Sequence, residues 1–286
     1  MSLSTTKSRR GRRPGRHRQV SDRGRMEKKA EAAERSMEER DRMLNKRQED
    51  YKVIEEVFDR LTVEGVDKLI RQGKIKDLEG VIKAGKEARV YWGIGPEDEE
   101  LAIKIYYTTT ADFRRGMLKY IEGDRRFKRI RRTPRGIVYT WTQKEFKNLQ
   151  LAEKAGVNSP RAIAFNRNIL VMSFIGKDGI PAPLLREIDP EDPSAFYLKI
   201  LEEMRRLYTK AGVVHGDLSE YNIMVWEEVP VIFDVSQALL IEHPLAAPLL
   251  KRDISNINTY FNRLGVDVVD SEDVETWVKG ESEDLS

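Results

Sequence analysis

Two short β-branched runs, Asn222-Ile-Met-Val-Trp226 and Val229-Pro-Val-Ile-Phe-Asp234, are parted by Glu227-Glu228. No other stretch constrains the fold as strongly. The pattern reads as a hairpin carrying Asn222 at the start of one strand and Asp234 at the end of the other. Polar residues bracketing apolar strands suit a site on strand ends better than a core. Upstream, Val214-His-Gly-Asp-Leu-Ser-Glu-Tyr-Asn222 sets Asp217 five positions before Asn222, and Asp234 follows twelve further on. A phosphoryl-transfer site needs this set. One carboxylate sits by the attacking hydroxyl, while an amide oxygen and a second carboxylate hold Mg²⁺ against nucleotide phosphates. A lone Asp in a loop is ordinarily a turn or cap residue, but three such residues sharing one spacing favour the functional reading.

The chain has 286 residues, 40% hydrophobic and 35% charged. That is enough for one large two-lobed domain or two small ones with a heavily charged surface. It has no cysteine, which removes disulfides, thiol nucleophiles and Cys-based zinc sites and fits a reducing, cytoplasmic setting. With His17, His215 and His243 as the only histidines, acid–base work falls to carboxylates. No run of eighteen apolar residues exists, and the basic N-terminus is not followed by an apolar segment, so neither a membrane span nor a secretory signal is expected.

Charge is segregated. Residues 1–25 hold nine Lys/Arg against one acid, and residues 114–135 hold ten against two, although the whole chain nets only +3. Such blocks suggest a polyanionic partner, with RNA the leading candidate. Residues 1–25 are too polar to bury a core and read as disordered, and 26–50 as an exposed charged helix. The tail is therefore drawn at 1–49. An apolar stripe begins at Val53, Ile54, Val57, Phe58 and Leu61, so the globular domain starts near 50. Thr62 is expected to cap a helix ending near Gly73.

Strands are expected over 76–106, with Glu87–Trp92 and Leu101–Tyr106 flanking the turn that begins at Gly93. Then follow a helix over 136–155, a strand over Ile169–Phe174, a helix over Pro193–Ala211, the hairpin, and a helix from about Arg252 to Leu264. Residues 114–135 read as an exposed, mobile loop near the cleft, with Thr108–Thr110 at its approach. Residues 270–286 carry seven acids and read as frayed, with an acidic tail proper over 279–286.

In Ala102-Ile-Lys-Ile105, alternation puts Lys104 opposite Ile103 and Ile105. Val138, Trp141, Glu145, Leu149 and Ala152 share one helical face. A carboxylate in that stripe needs a cation, and Lys104 is the obvious one. Such a pair holds a lysine against the α- and β-phosphates in protein kinases. Gly80-Val-Ile-Lys-Ala-Gly85-Lys86-Glu87 approaches a Walker A pattern but lacks its terminal hydroxyl and is followed by a strand rather than a helix. Gly85 and Lys86 instead suit a phosphate-covering turn between strands. Leu170-Val-Met-Ser-Phe-Ile-Gly176 suits a strand-to-linker segment that bonds adenine, with Ser173 and Ile175 as backbone contacts and Met172 behind the ring.

These motifs are similar to the RIO family of atypical protein kinases. The resemblance rests on His215-Gly-Asp-Leu-Ser-Glu-Tyr-Asn222, Asp234-Val-Ser-Gln237, Gly85-Lys-Glu-Ala88 and Val171-Met-Ser-Phe-Ile-Gly176. Leu218-Ser-Glu-Tyr-Asn222 with Asp234-Val-Ser-Gln237 resembles the first subfamily, and Pro181-Ala-Pro-Leu-Leu185, His243-Pro244 and Lys251-Arg-Asp-Ile254 agree. The likeness runs from about 50 to 278. It implies an α+β, two-lobed protein-kinase-like fold, with a β-rich N-lobe at about 50–172 and a reduced, mainly helical C-lobe at about 177–278 without an activation segment.

By position the resemblance implies Asp217 as the catalytic carboxylate, Asn222 and Asp234 as metal ligands, and Lys104 with Glu145 as the lobe-bridging pair. It further implies Asp234 as phosphate acceptor, ATP and Mg²⁺ as cofactors, and serine/threonine kinase or ATPase activity. The implied partner is the small ribosomal subunit precursor, with rRNA held through 1–25 and 114–135, the protein being a monomer or weak oligomer. Lys83-Ala84 stand where the family usually has Ser-Thr, so hydroxyl contacts to phosphate are lost. Only 52 residues follow Asp234, too few for a full peptide-docking lobe, which favours autophosphorylation or ATP hydrolysis over broad peptide phosphorylation. Two other readings remain: a small-molecule kinase, which Ser219-Glu-Tyr221 argues against, and an RNA-binding assembly factor gated by nucleotide.

Overall fold

Alternating apolar residues over 77–106 and 162–173 build a five-stranded antiparallel sheet. A computed structural model describes residues 58–108, 111–127 and 130–285, with backbone alone over 111–115. The expectations for 1–49 and for Val53, Ile54 and Val57 lie outside the described residues. The strands are β1 (Asp77–Ala84), β2 (Ala88–Ile94), β3 (Glu100–Tyr106), β4 (Ala162–Asn166) and β5 (Ile169–Ser173), in the order β1-β2-β3-β5-β4. The central strand β3 is buried from Leu101 to Tyr106, as a strand covered on both faces must be.

Helix α1 (Arg60–Arg71) lies against this sheet, with Val66 and Leu69 buried beside Ile75, Tyr91 and Ile103. Its N-cap is Asp59 rather than Thr62. Extended Asp59 accepts the Thr62 N–H at 2.9 Å and the Thr62 hydroxyl at 2.8 Å, and a carboxylate at this position also suits the helix dipole.

The segment after β3 departs from the expected loop. Helix α2 (Ala111–Ile121) forms there, burying Met117, Tyr120 and Ile121 against Val138 and Trp141 of α3 (Pro134–Lys154). The spacings of three and four put those side chains on one helical face, and Phe127 joins them. Much of the segment's charge is used internally. Arg126 pairs with the buried Asp124, Arg132 with Glu122, Arg125 with Glu242 and Arg135 with Asp59. Of the threonines at its approach, Thr108 Oγ1 lies 3.3 Å from Asp59 Oδ2.

One short antiparallel pair, β6 (Gly176–Lys177) with β7 (Ile180–Pro181), leads into the C-lobe. Gly176 sits at φ +146, and a Cβ there would strike the Ile180 carbonyl, so only glycine fits this exit from the sheet. The C-lobe holds α4 (Pro193–Thr209), β8 (Val213–Val214), β9 (Ile223–Trp226), β10 (Val229–Ile232), β11 (Leu239–Leu240), α5 (Ala246–Arg263) and α6 (Ser271–Lys279).

Strands β9 and β10 pair in register as a hairpin, with Glu227 at φ +51 and Glu228 at φ +56. Two left-handed residues in a two-residue turn match the right-handed twist of the flanking strands. Helix α5 begins six residues before the expected Arg252 because Pro248 falls in its first turn, where no intrahelical N–H donor is needed. Helix α6 corrects the reading of 270–286 as frayed. Asp270 caps it, and Val274 and Val278, four apart, are fully buried. Among the described residues no helix is long and apolar enough to cross a membrane.

Candidate active site

The cleft between the lobes collects side chains from five elements. Lys104, on central strand β3, is nearly buried and donates from Nζ to Glu145 of α3 at 2.8 Å and to Asp234 at 2.8 Å. Glu145 also accepts the Tyr106 hydroxyl. Burial works against the lysine's charge, but the two carboxylates hold its ammonium well above the ordinary range. Asp234 answers in the opposite sense. Its place on the cleft floor works to raise it, yet Lys104 and the Ser236 hydroxyl, 3.0 Å away, draw it below the usual carboxylate range. Its backbone is left-handed at φ +58, a conformation that side chains with a Cβ adopt at a cost of roughly 1 kcal/mol or more.

Asp217 lies in the loop between β8 and β9. Gln237 Nε2 donates to its Oδ2 at 3.0 Å, and Arg252 Nη2 stands 3.4 Å from Oδ1. Burial raises this carboxyl, aided by the Asp234 charge and opposed by Arg252 and Gln237. The loop itself is held from below. Asp253 of α5 accepts the Gly216 N–H at 2.7 Å and the Leu218 N–H at 2.9 Å, while Arg252 donates to the Gly216 carbonyl. Gly216 takes φ +78, which brings both flanking amides onto one carboxylate. His215 is buried, which lowers its imidazole below the ordinary range, and its Nε2 donates to the Phe233 carbonyl at 3.0 Å while its Nδ1 faces the Asp217 N–H at 3.3 Å.

Asn222 opens the hairpin as expected. Its Nδ2 donates to the Asp217 carbonyl at 2.8 Å, so Oδ1 is the atom left for a cation. Asn222 and Asp234 together offer one amide and one carboxylate oxygen. Among the described residues no cluster of three or more His, Cys, Asp or Glu could hold a metal by itself. A hard cation that keeps waters and completes its shell with substrate phosphates, as Mg²⁺ does, fits so sparse a donor set.

Gly85 and Lys86 form the exposed β1–β2 turn, closed by the Gly85 N–H to the Ala88 carbonyl at 3.0 Å. Glu87 beside them is exposed at the turn, yet partial desolvation and the charge of Asp234 push its carboxyl up to about 6. Met172 stands opposite Ala102 in the sheet. The Ser173 N–H is taken by the Arg161 carbonyl at 2.9 Å, and the Ile175 carbonyl accepts the Ala182 N–H at 2.9 Å. Arg252, Asp253, Gln237, Ser236 and Tyr106 were not singled out from the sequence. Four of them stand within motifs quoted above, but their contacts cross the fold.

A five-stranded lobe over a mainly helical one, with a Lys–Glu pair and two Asp residues in the cleft between them, defines the protein-kinase-like class. Residues 89–274 match the RIO domain family. The chain is 40% identical over 240 residues to the RIO-type serine/threonine-protein kinase Rio1 of Haloferax volcanii, covering 84% of this chain and 82% of that one. It is 41% identical over 219 residues to Rio1 of Methanocaldococcus jannaschii, covering 77% and 74%. The Rio2 kinase of Chaetomium thermophilum, solved as an ADP/Mg²⁺-phosphoaspartate complex, shares the fold at TM-score 0.60 and 21% identity, over 75% of this chain and 65% of that one. The chain belongs to the RIO family of atypical serine/threonine-protein kinases.

Proposed function

We propose that the protein transfers the γ-phosphoryl group of ATP in a Mg²⁺-dependent reaction, as a serine/threonine kinase, an ATPase or both. The supporting observation is Lys104, placed 2.8 Å from Glu145 and 2.8 Å from Asp234 in a cleft that also holds Asp217 and Asn222. Two carboxyls of one chemical type are set apart electrostatically, Asp217 raised and Asp234 lowered. That separation supports giving them different roles.

Asp217, the more basic of the two, takes the proton of the attacking hydroxyl. Gln237 and Arg252 fix the direction of its oxygens. Lys104, oriented by Glu145, offsets charge on the nucleotide phosphates. Asp234 and the Asn222 Oδ1 would hold Mg²⁺, which would supply neutralising charge to the β- and γ-phosphates. The exposed Gly85–Lys86 turn would offer its backbone N–H groups and the Lys86 ammonium to them. The Ser173 carbonyl and the Ile175 N–H would bond adenine, with Met172 behind the ring.

The phosphoaspartate in the Rio2 complex supports a second use of Asp234, as acceptor of the phosphoryl group before water releases it. Only eleven residues separate Asp234 from α5, which leaves little chain for docking a peptide and favours autophosphorylation or hydrolysis. The basic segments and the family resemblance support a cytoplasmic role on the small ribosomal subunit precursor, with rRNA as the polyanion.

The test is phosphate transfer from γ-labelled ATP with Mg²⁺, scoring released phosphate and labelled protein separately. Asp217→Ala is expected to lower turnover by about 10²–10⁴-fold, the usual contribution of a positioned base, while nucleotide still binds. Lys104→Ala should weaken productive binding. A hydroxylamine-labile label would mark Asp234, and an acid-stable one a serine or threonine. Turnover unchanged in Asp217→Ala would remove that residue from the role. Nucleotide binding with no turnover in the wild type would favour a nucleotide-gated RNA-binding assembly factor.

A further inference from the structure

The loop that carries Asp234 is gripped from behind by α3. Lys144 and Asn148, four residues apart on one face of the helix, are 0% and 1% exposed. Lys144 Nζ donates to the Ser236 carbonyl at 2.8 Å and to the Ala238 carbonyl. Asn148 Nδ2 donates to the Val235 carbonyl at 2.8 Å and to the Ala238 carbonyl at 3.0 Å. Three of the four peptide carbonyls that follow Asp234 thus end on two side chains. The other side of the same loop faces the cleft, where the Ser236 hydroxyl meets Asp234 and Gln237 meets Asp217.

Stability alone does not account for this arrangement. No carboxylate forms an ion pair with Lys144 among the described residues; its ammonium is met by backbone carbonyls and lies 5.4 Å from the centre of the Trp141 ring. Burying a cation without a counter-charge is expensive, and an apolar residue of similar volume commonly serves a core as well or better. Burial accordingly drives the Lys144 ammonium down to about 7, with Arg126 adding to the effect and the more distant Asp124 and Glu145 charges only partly opposing it. The Asn148 Oδ1 is buried without a hydrogen-bond partner, so its amide is turned to spend both available bonds on this loop. What the two side chains secure is a backbone turn that begins at a left-handed aspartate, a conformation that persists only where its surroundings over-determine it.

We infer that Lys144 and Asn148 are positioning residues that fix the backbone of residues 235–238, and through it the metal-binding carboxylate of Asp234 and the Gln237 bond to Asp217. This rests on the reading of Asp234 as a Mg²⁺ ligand. It also makes α3 a single rigid coupling. Glu145 sets Lys104 while its neighbours Lys144 and Asn148 set the loop opposite, so a displacement of the helix would disturb both sides of the site together.

The experiment uses the full chain with Lys144→Met and Asn148→Leu, each shape-conserving and lacking the donors, and Val278→Ala as a control destabilised far from the cleft. Amide hydrogen exchange without nucleotide is read on peptides spanning 233–240. Exchange there should be about tenfold faster in Lys144→Met, as loss of about 1.4 kcal/mol of local hydrogen bonding gives, and faster in Asn148→Leu, with 223–232 unchanged. The Mg²⁺ concentration that half-saturates ADP-loaded protein should rise about tenfold in Lys144→Met, while Mg²⁺-free ADP affinity changes little. Exchange over 233–240 equal to wild type in both variants, or equally accelerated in Val278→Ala, overturns the inference. Wild-type protein whose ADP binding ignores Mg²⁺ overturns the metal reading instead, and the exchange result still decides the positioning role.

Discussion

Asp253 shows how far one buried carboxyl can govern a loop it does not belong to. It accepts two amides that flank Asp217, yet burial outweighs those bonds and pushes its carboxyl up to about 7 from an ordinary value of 3.8. The folded protein therefore holds this proton more tightly than the unfolded chain. A carboxyl raised in the folded state contributes stability that is complete below about pH 4 and is lost as the pH rises through about 7. The variant Asp253→Asn keeps the shape and removes the titration. Urea midpoints should show wild type gaining on the variant as the pH falls from 7.5 to 5, by at most about 1.4 kcal/mol per pH unit. A difference that stays constant over that range would mean Asp253 does not titrate there. The variant's amide would also point an N–H at one of the two backbone donors, so phosphoryl transfer should fall even at a pH where stability is matched.

At the scale of elements, α6 is where composition misleads. Seven acids over 270–286 suggest a solvated tail, but Val274 and Val278 supply one apolar face, and Arg205 of α4 donates to the Trp277 and Ser282 carbonyls. Val278→Ala should therefore lower stability by about 1–3 kcal/mol, the cost of a small buried cavity, measured as a shift in urea midpoint with unchanged slope. A frayed segment would show no shift. Helix α2 repeats the lesson, since the ten basic residues over 114–135 mask the Met117, Tyr120 and Ile121 face. By contrast the β9–β10 hairpin was legible because β-branched runs and a two-residue polar turn are local signals. The Lys104–Glu145 pair was legible for a different reason: a carboxylate inside the apolar stripe of α3 demanded a cation, and one lysine lay among apolar strand residues. The rest of the site was not. Asp253 reaches Leu218 across 35 residues and Gln237 reaches Asp217 across 20, and periodicity carries nothing about contacts at that range. Lys144 reads as an ordinary polar neighbour of the stripe until the loop behind it is placed.

For the whole molecule the decisive member is α3, because it belongs to both lobes. Its first half, through Val138 and Trp141, packs with Ala88 and Tyr106 of the sheet and Leu239 of the C-lobe, while Leu149 and Ala152 lie in the C-lobe core with Ile200, Ile223 and Phe261. The Lys104–Asp234 pair and the Lys144 and Asn148 bonds cross the same boundary. Lobes joined through a shared helix should unfold together rather than in sequence. Trp92 on β2 and Trp277 on α6 report on the two ends, and comparing wild type with Trp92→Phe and with Trp277→Phe isolates the emission of each. Both signals and far-UV circular dichroism are expected to share one thermal midpoint. ADP with Mg²⁺ at a hundredfold excess over its Kd adds about 2.7 kcal/mol to the folded state, which for a domain of this size raises the midpoint by about 5–10 °C. The rise should be the same at Trp92 and Trp277, since ligand held at the junction stabilises whatever unfolds as one unit. A midpoint that moves at Trp92 alone would show that the sheet unfolds independently, and α3 would then be a helix of the C-lobe on which the N-lobe merely rests.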